Sequence, residues 1–279
     1  MNPQPDLPHH LGRRRVLALI AGGVGTAVIA ACSSDDTTTS NTPVTDAPDT
    51  TSVESPETTS ASDTSVAEET SVVECSTIPE ETAGPFPGDG SNGPDVLSID
   101  GVERQDIRSS IGSASGTASG IQLTVDLTIV DAATCAPLAG AAVYLWHADS
   151  QGRYSMYSSG VSDENFLRGV QVADASGKLS FVSVYPGCYD GRWPHIHFEV
   201  YATAADVGTQ RPLVTSQLAF PRDTCEVAYA AAGYESSASN LSRVSLDSDM
   251  VFRDGADQQT ATMTGDVTGG FTASLTVVV

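Results

Sequence analysis

Two histidines one residue apart, His195 and His197, carry the clearest chemical potential in this 279-residue chain. In an extended strand, residues i and i+2 point to the same face. The run Trp193-Pro194-His195-Ile196-His197-Phe198 would therefore set two imidazoles side by side. Neutral imidazoles so arranged form half of a transition-metal site, and the pair by itself suits zinc as well as iron. A solvated polar strand face is the plain alternative. Histidine is scarce: of the five in the chain, two precede an N-terminal apolar run, and only His147 accompanies the pair in the remainder. His147 lies on a predicted strand and reads as structural.

Positioning such a pair requires a sheet, and strand periodicity is frequent after residue 120. Ile121, Leu123, Val125, Leu127 and Ile129 alternate with mostly polar neighbours. Further strands are predicted over 141–147, 178–184, 195–201 and 213–220. Between them lie turn signals at Pro137, Gly140, Ala175-Ser176-Gly177 and Pro186-Gly187. Residues 259–263 and 271–279 read as a closing hairpin across Gly269-Gly270, and the one helix candidate covers 223–232. The expected class is all-β, an antiparallel sandwich or barrel with little helix.

The first 74 residues read differently. Arg13, Arg14 and Arg15 precede an apolar stretch from Val16 to Ala31, shorter than the ~20 residues of a spanning helix. Gly12-Arg13-Arg14-Arg15-Val16-Leu17 resembles a twin-arginine export signal, and Ile29-Ala30-Ala31-Cys32 resembles a lipobox. Residues 1–32 are thus expected to be a signal peptide cut before a lipidated Cys32, with an uncleaved membrane anchor as the alternative. Residues 33–74 hold no Lys, Arg or aromatic residue and are expected to be a disordered tether. The expected location is the outer face of the bacterial cytoplasmic membrane or the cell surface, with the membrane as partner through Cys32.

Residues 75–279 suit one domain with a sizeable core. The net charge of −22 leaves no basic stripe for phosphates and argues against nucleic acid. With Cys32 set aside, Cys75, Cys135, Cys188 and Cys225 remain. An even number in an exported chain predicts disulfides among them, with the pairing open, and none is spaced as CxxC.

Further motifs accompany the histidines. In order they are Glu81-Thr82-Ala83-Gly84-Pro85-Phe86, the run from Val143 to Ser155 containing Gly152-Arg153-Tyr154-Ser155, Phe166-Leu167-Arg168-Gly169-Val170-Gln171, Val184-Tyr185-Pro186-Gly187-Cys188-Tyr189, the run from Arg192 to Phe198, and Thr215-Ser216-Gln217-Leu218. Together they resemble the intradiol ring-cleavage dioxygenases, the family of catechol 1,2-dioxygenase and the protocatechuate 3,4-dioxygenase subunits, over most of residues 75–252.

That resemblance implies a β-sandwich and a ferric ion, Fe(3+), held by Tyr154, Tyr189, His195 and His197. It also implies a catechol substrate cleaved by O2 between its hydroxylated carbons to a muconate-type diacid. Tyr189 would double as a base, with Arg192 beside the substrate and Gln217 in the same pocket. The donor chemistry agrees, since a trivalent ion favours deprotonated phenols, and hard phenolates with imidazoles suit Fe(3+). Tyr157, three residues after Tyr154, competes for the first tyrosine position.

Two departures stand out. The Tyr189–Arg192 stretch is shorter than in soluble catechol dioxygenases, and their helical N-terminal region is missing, so a more open pocket for bulkier or polymer-derived catechols is expected. Cys188, if disulfide-bonded, would fix the backbone at Tyr189. The rival readings are a non-catalytic surface lipoprotein that binds a metal or a catechol ligand, and a zinc hydrolase lacking an evident third histidine or well-placed carboxylate.

Overall fold

The computed structural model describes residues 75–279; the expected signal peptide (1–32), Cys32 and the tether (33–74) lie outside the described residues. Eight strands form two four-stranded sheets. The first sheet has the order β4 (Lys178–Val184), β1 (Gln122–Val130), β8 (Gly270–Val278), β7 (Thr262–Asp266). The second has the order β3 (Arg168–Val172), β2 (Ala142–Trp146), β5 (His195–Tyr201), β6 (Val214–Ala219). Two short helices, α1 (Arg222–Tyr229) and α2 (Glu235–Leu241), follow β6. No helix among the described residues is long and apolar enough to cross a membrane.

The alternation seen in the sequence is the alternation that builds the core. Leu123, Val125, Leu127 and Ile129 of β1 meet Ile196, Phe198 and Val200 of β5 and Val143 and Leu145 of β2 in one buried cluster. Burying each such side chain is worth roughly 1.5–3 kcal/mol. The intervening residues of the second sheet do not face water. Tyr144 and Trp146 of β2, Val170 of β3 and Tyr201 of β5 form a second cluster, against which Ala83, Phe86, Leu97, Ile99 and Val102 pack. All seven residues of β5 are therefore buried, although the strand carries two histidines and a glutamate.

Residues 79–118 make the cover. The Glu81 N–H donates to the Thr215 carbonyl (2.7 Å) and the Ser216 hydroxyl to the Pro79 carbonyl (2.7 Å), along β6. At the other side the Arg104 N–H donates to Val170 O (3.0 Å), and the Val170 N–H to Val102 O (2.8 Å), along β3. Both edges of the second sheet are thus occupied by the same covering segment.

Two expectations need correction. The sandwich is not wholly antiparallel, because β8 runs parallel to β1, with Leu123 opposite Phe271 and Val125 opposite Ala273. Alternation places the same side chains inward whichever way a strand runs, so it carries no direction. The second correction concerns the cysteines. Cys75 and Cys135 are bonded, whereas Cys188 and Cys225 are free, buried thiols. The bond closes a 60-residue loop. Cys135→Ser is expected to lower unfolding stability by about 4 kcal/mol on the chain-entropy relation, readable as a shift in the urea midpoint.

Candidate metal centre

Four polar atoms meet at one end of the second sheet, brought there by three local devices. Strand β5 puts the rings of His195 and His197 on its covered face. His197 lies opposite Trp146 in the ladder and stacks on it, with ring centres 5.0 Å apart and planes 6° apart. Tyr154 comes from the turn after β2. There the Asp149 carboxylate accepts the Gln151 and Arg153 N–H groups (2.9 Å each) and pairs with the Arg153 guanidinium. Ser158 closes that turn by accepting the Tyr154 N–H through its hydroxyl and donating its own N–H to the Tyr154 carbonyl, both 2.9 Å. Tyr189 belongs to the β4–β5 connection and rests on Gly152. A Cβ at Gly152 would sit 2.9 Å from that of Tyr189, and its φ is +78°, so glycine allows the two turns to touch.

The hydroxyl of Tyr154 lies 3.4 Å from that of Tyr189 and 3.4 Å from His195 Nε2. Tyr189 Oη is 3.2 Å from His195 Nε2, which is 3.1 Å from His197 Nε2. His195 Nδ1 donates to the Trp193 carbonyl, so the lone pair of its Nε2 faces the cluster. His197 Nδ1 is buried, with the Thr82 backbone beside it but no well-formed hydrogen bond. Ligands held ~2.0–2.1 Å from a common tetrahedral centre stand about 3.3–3.4 Å apart, and the separations of His195 Nε2 from the other three atoms, 3.1–3.4 Å, lie close to that spacing.

Electrostatics agree. Burial, then the charge of Arg192, pushes His195 down to about 3, and burial followed by His195 lowers His197 well below its usual value. Both imidazoles are neutral and ready to bind a metal. Burial, then Tyr189, raises Tyr154, and burial raises Tyr189 against the opposing charge of Arg192. Without a cation both phenols keep their protons; a bound metal ion inverts that preference.

Beside the cluster, Arg192 donates through Nε to Asp249 (2.9 Å) and through Nη2 to Gln217 Oε1 (2.7 Å). Gln217 lies opposite His197 on β6, and its amide donates to the Thr82 carbonyl (2.9 Å). Asp249, fully buried between two single-turn helices, also accepts the N–H groups of Trp193 (2.6 Å) and Val251 (2.8 Å). Sequence reasoning missed Asp249, which stands outside every motif and 57 residues after Arg192. A carboxylate next to an apolar Met250-Val251-Phe252 run was its only signal.

The covering segment touches the site at Gly84. Its φ is +71°, and a Cβ there would lie 3.2 Å from His197 Cε1. Gly84→Ala is expected to cost about 1–2 kcal/mol from the backbone alone and to disturb His197 as well. Thermal unfolding reads the first effect and the histidine ring resonances the second.

Other candidates lie elsewhere. The Tyr157 hydroxyl donates to Asn92 (2.6 Å) and accepts the Gly88 N–H (2.9 Å), so the structure brings Tyr154 and not Tyr157 to the cluster. His147 is buried between Ser183 Oγ (2.6 Å) and the Ala148 carbonyl (2.8 Å). Cys188 does not brace Tyr189 through a disulfide. Its backbone is held by α2 instead, its N–H donating to Ser237 Oγ (3.0 Å) and its carbonyl accepting from Asn240 (2.7 Å).

The Dioxygenase_C family model, described as a dioxygenase, matches residues 93–234, which include Tyr154, Tyr189, Arg192, both strand histidines and Gln217. A chlorocatechol 1,2-dioxygenase of Rhodococcus opacus is 32% identical over 104 residues. That stretch is 31% of this chain and 39% of the relative, so the match spans well under half of that protein. The solved structure of an intradiol ring-cleavage dioxygenase from Tetranychus urticae superposes with a TM-score of 0.58 at 26% identity, covering 73% of this chain and 94% of the other. On the family match over half of its length, supported by the shared fold, this chain belongs to the intradiol ring-cleavage dioxygenases.

Proposed function

We propose that the chain is an exported, lipid-anchored dioxygenase that uses ferric iron to open a catechol ring between its two hydroxylated carbons. The observation that carries the reading is the convergence on His195 Nε2 of Tyr154 Oη (3.4 Å), Tyr189 Oη (3.2 Å) and His197 Nε2 (3.1 Å), with the two tyrosine hydroxyls 3.4 Å apart. These four residues would hold the iron, which supplies Lewis acidity that favours phenolate and catecholate over their protonated forms.

The chain's own groups divide the remaining work. Tyr189, the most exposed of the four, would, as the phenolate that the iron favours, accept the proton of an incoming catechol hydroxyl. Arg192 presents a guanidinium, held at two of its nitrogens, to negative charge developing on the ring. Gln217 fixes the far side of Arg192 and ties it to Thr82. Between Tyr189 and Arg192 the chain makes only a tight turn with Asp190 and Gly191 exposed, and the Arg192 N–H returns to the Tyr189 carbonyl (3.3 Å). That short turn supports a substrate class of bulkier or polymer-derived catechols.

The test is iron analysis of the purified chain together with oxygen uptake on catechol, chlorocatechol and catechols with large ring substituents. Stoichiometric iron, a visible phenolate-to-iron absorption and consumption of O2 are expected. A chain that takes up no iron, or holds iron and consumes no O2, refutes the enzyme reading; the second outcome leaves a binding module. Anchoring is tested separately. Cys32→Ser is expected to move the protein from the membrane fraction to the soluble exported fraction, and unchanged partition would refute lipidation.

A further inference from the structure

Arg168, from the Phe166-Leu167-Arg168-Gly169 motif, touches none of the four donor atoms, yet it is held as tightly as any side chain in the domain. It opens β3, is 1% exposed, and pairs with no carboxylate among the described residues. Its guanidinium donates five hydrogen bonds. Nε reaches Ser155 Oγ (3.1 Å); Nη1 reaches the Pro87 carbonyl (2.7 Å) and Tyr144 Oη (3.3 Å); Nη2 reaches the carbonyls of Phe86 and Ser155 (3.0 Å each). A guanidinium has five N–H groups, so the donor set is full.

Burying a cation without a counter-charge costs several kcal/mol, and an apolar side chain of similar size would fill the space more cheaply. What an apolar residue cannot do is join the two segments that Arg168 bonds. Phe86 lies on the Tyr154 ring, with centres 5.0 Å apart. Ser155 is the residue after Tyr154, and its hydroxyl donates onward to Phe166 O (2.7 Å). The guanidinium also lies 5.5 Å from the centre of the Tyr157 ring, whose hydroxyl accepts the Gly88 N–H. One planar fork thus sets the covering segment and the tyrosine turn in register with each other and with β3.

We propose that Arg168 is the positioning residue of the metal centre, clamping residues 86–88 to the turn that carries Tyr154 and so fixing where that side chain stands. Its consequence for iron affinity rests on the function proposed above; the clamp itself does not. Lysine would not substitute, having three rotatable donors in place of a five-donor fork.

The experiment compares the full chain with Arg168→Lys by hydrogen exchange of the metal-free protein and by ferric titration. Ser155→Ala serves as a milder variant should Arg168→Lys fail to fold. The expected result is local: the amides of Gly88 and of residues 156–158 exchange at least ~10-fold faster while those of β1 and β8 keep their protection. Ferric affinity should fall by roughly 10–100-fold, the usual cost of loosening the groups that orient a ligand. Ser155→Ala should give the same pattern at smaller size. Uniformly faster exchange in both sheets, or unchanged exchange at both clamped segments, overturns the proposal. If the unaltered chain takes up no iron, the function proposed above fails, and the exchange pattern still decides the clamp.

Discussion

Tyr154→Phe is expected to strip the protein of most of its affinity for ferric iron and of its oxygen uptake, while Tyr157→Phe, which loosens only the Asn92 and Gly88 contacts, lowers both far less. The first change removes one oxygen and keeps the ring against Phe86, so packing is nearly conserved. It deletes a buried atom 3.4 Å from both Tyr189 Oη and His195 Nε2. Losing a donor outright should exceed the roughly 10–100-fold that losing a hydrogen bond to a ligand costs a metal site. The second change deletes the bonds to Asn92 and Gly88 and should cost about 1–2 kcal/mol of stability without touching the cluster. Iron content, phenolate-to-iron absorption and thermal unfolding, measured side by side, decide the point. Equal iron loss in both variants would sink the assignment of Tyr154.

Asp249→Ala should be the most destabilising single change near the site, by about 3–5 kcal/mol. The carboxylate is fully buried, Arg192 is 12% exposed, and the Trp193 and Val251 N–H groups would lose their acceptor at the same time. Asp249→Asn keeps an acceptor and should cost less, yet it removes the charge that aims Arg192. Turnover should then fall more than stability does.

A pH signature separates the two effects. Burial works to raise the Asp249 pKa, but the Trp193 N–H, the Arg192 charge and the Val251 N–H together hold it below its ordinary value. A carboxylate depressed in the folded state stabilises fully above its unfolded pKa of about 3.9 and loses that contribution as pH falls through the folded value. The acid limb of a urea-midpoint profile should therefore flatten in Asp249→Asn. An unchanged limb would show that the carboxylate contributes nothing to acid stability.

Much of the frame was legible because burial and periodicity coincide. The alternation of residues 121–129 marks the inner face of β1, and the predicted limits of β4 and β5 match the observed ones. β3 escaped because Arg168-Gly169-Val170-Gln171-Val172 is five residues long, with polar and glycine positions that only tertiary contacts explain. α2 escaped because Glu-Ser-Ser-Ala-Ser-Asn-Leu has weak helix propensity, and packing of Leu241 and Ser237 holds it instead. Within the site, the histidines were legible from strand geometry alone, while the tyrosines needed the family motif. Choosing Tyr154 over Tyr157 required seeing where the second hydroxyl goes. Asp249 and the clamp of Arg168 were illegible for one reason: most of their partners, backbone and side chain, come from segments distant in sequence, which leave no mark on local pattern.

The parallel pairing of β1 with β8 reaches beyond the finished molecule. β1 is an inner strand, yet one of its two neighbours, β8, follows every other described strand in sequence. While the protein is being synthesised, one side of β1 offers its amides and carbonyls unpaired until β8 emerges. The residue that leads into the cover is tied to the same event, since the Ile78 N–H donates to the Val278 carbonyl. A product ending before Gly270 would retain every residue of the metal centre in its sequence and still expose a long apolar edge. Aggregation, not a weakened enzyme, is the expected fate of such a truncation.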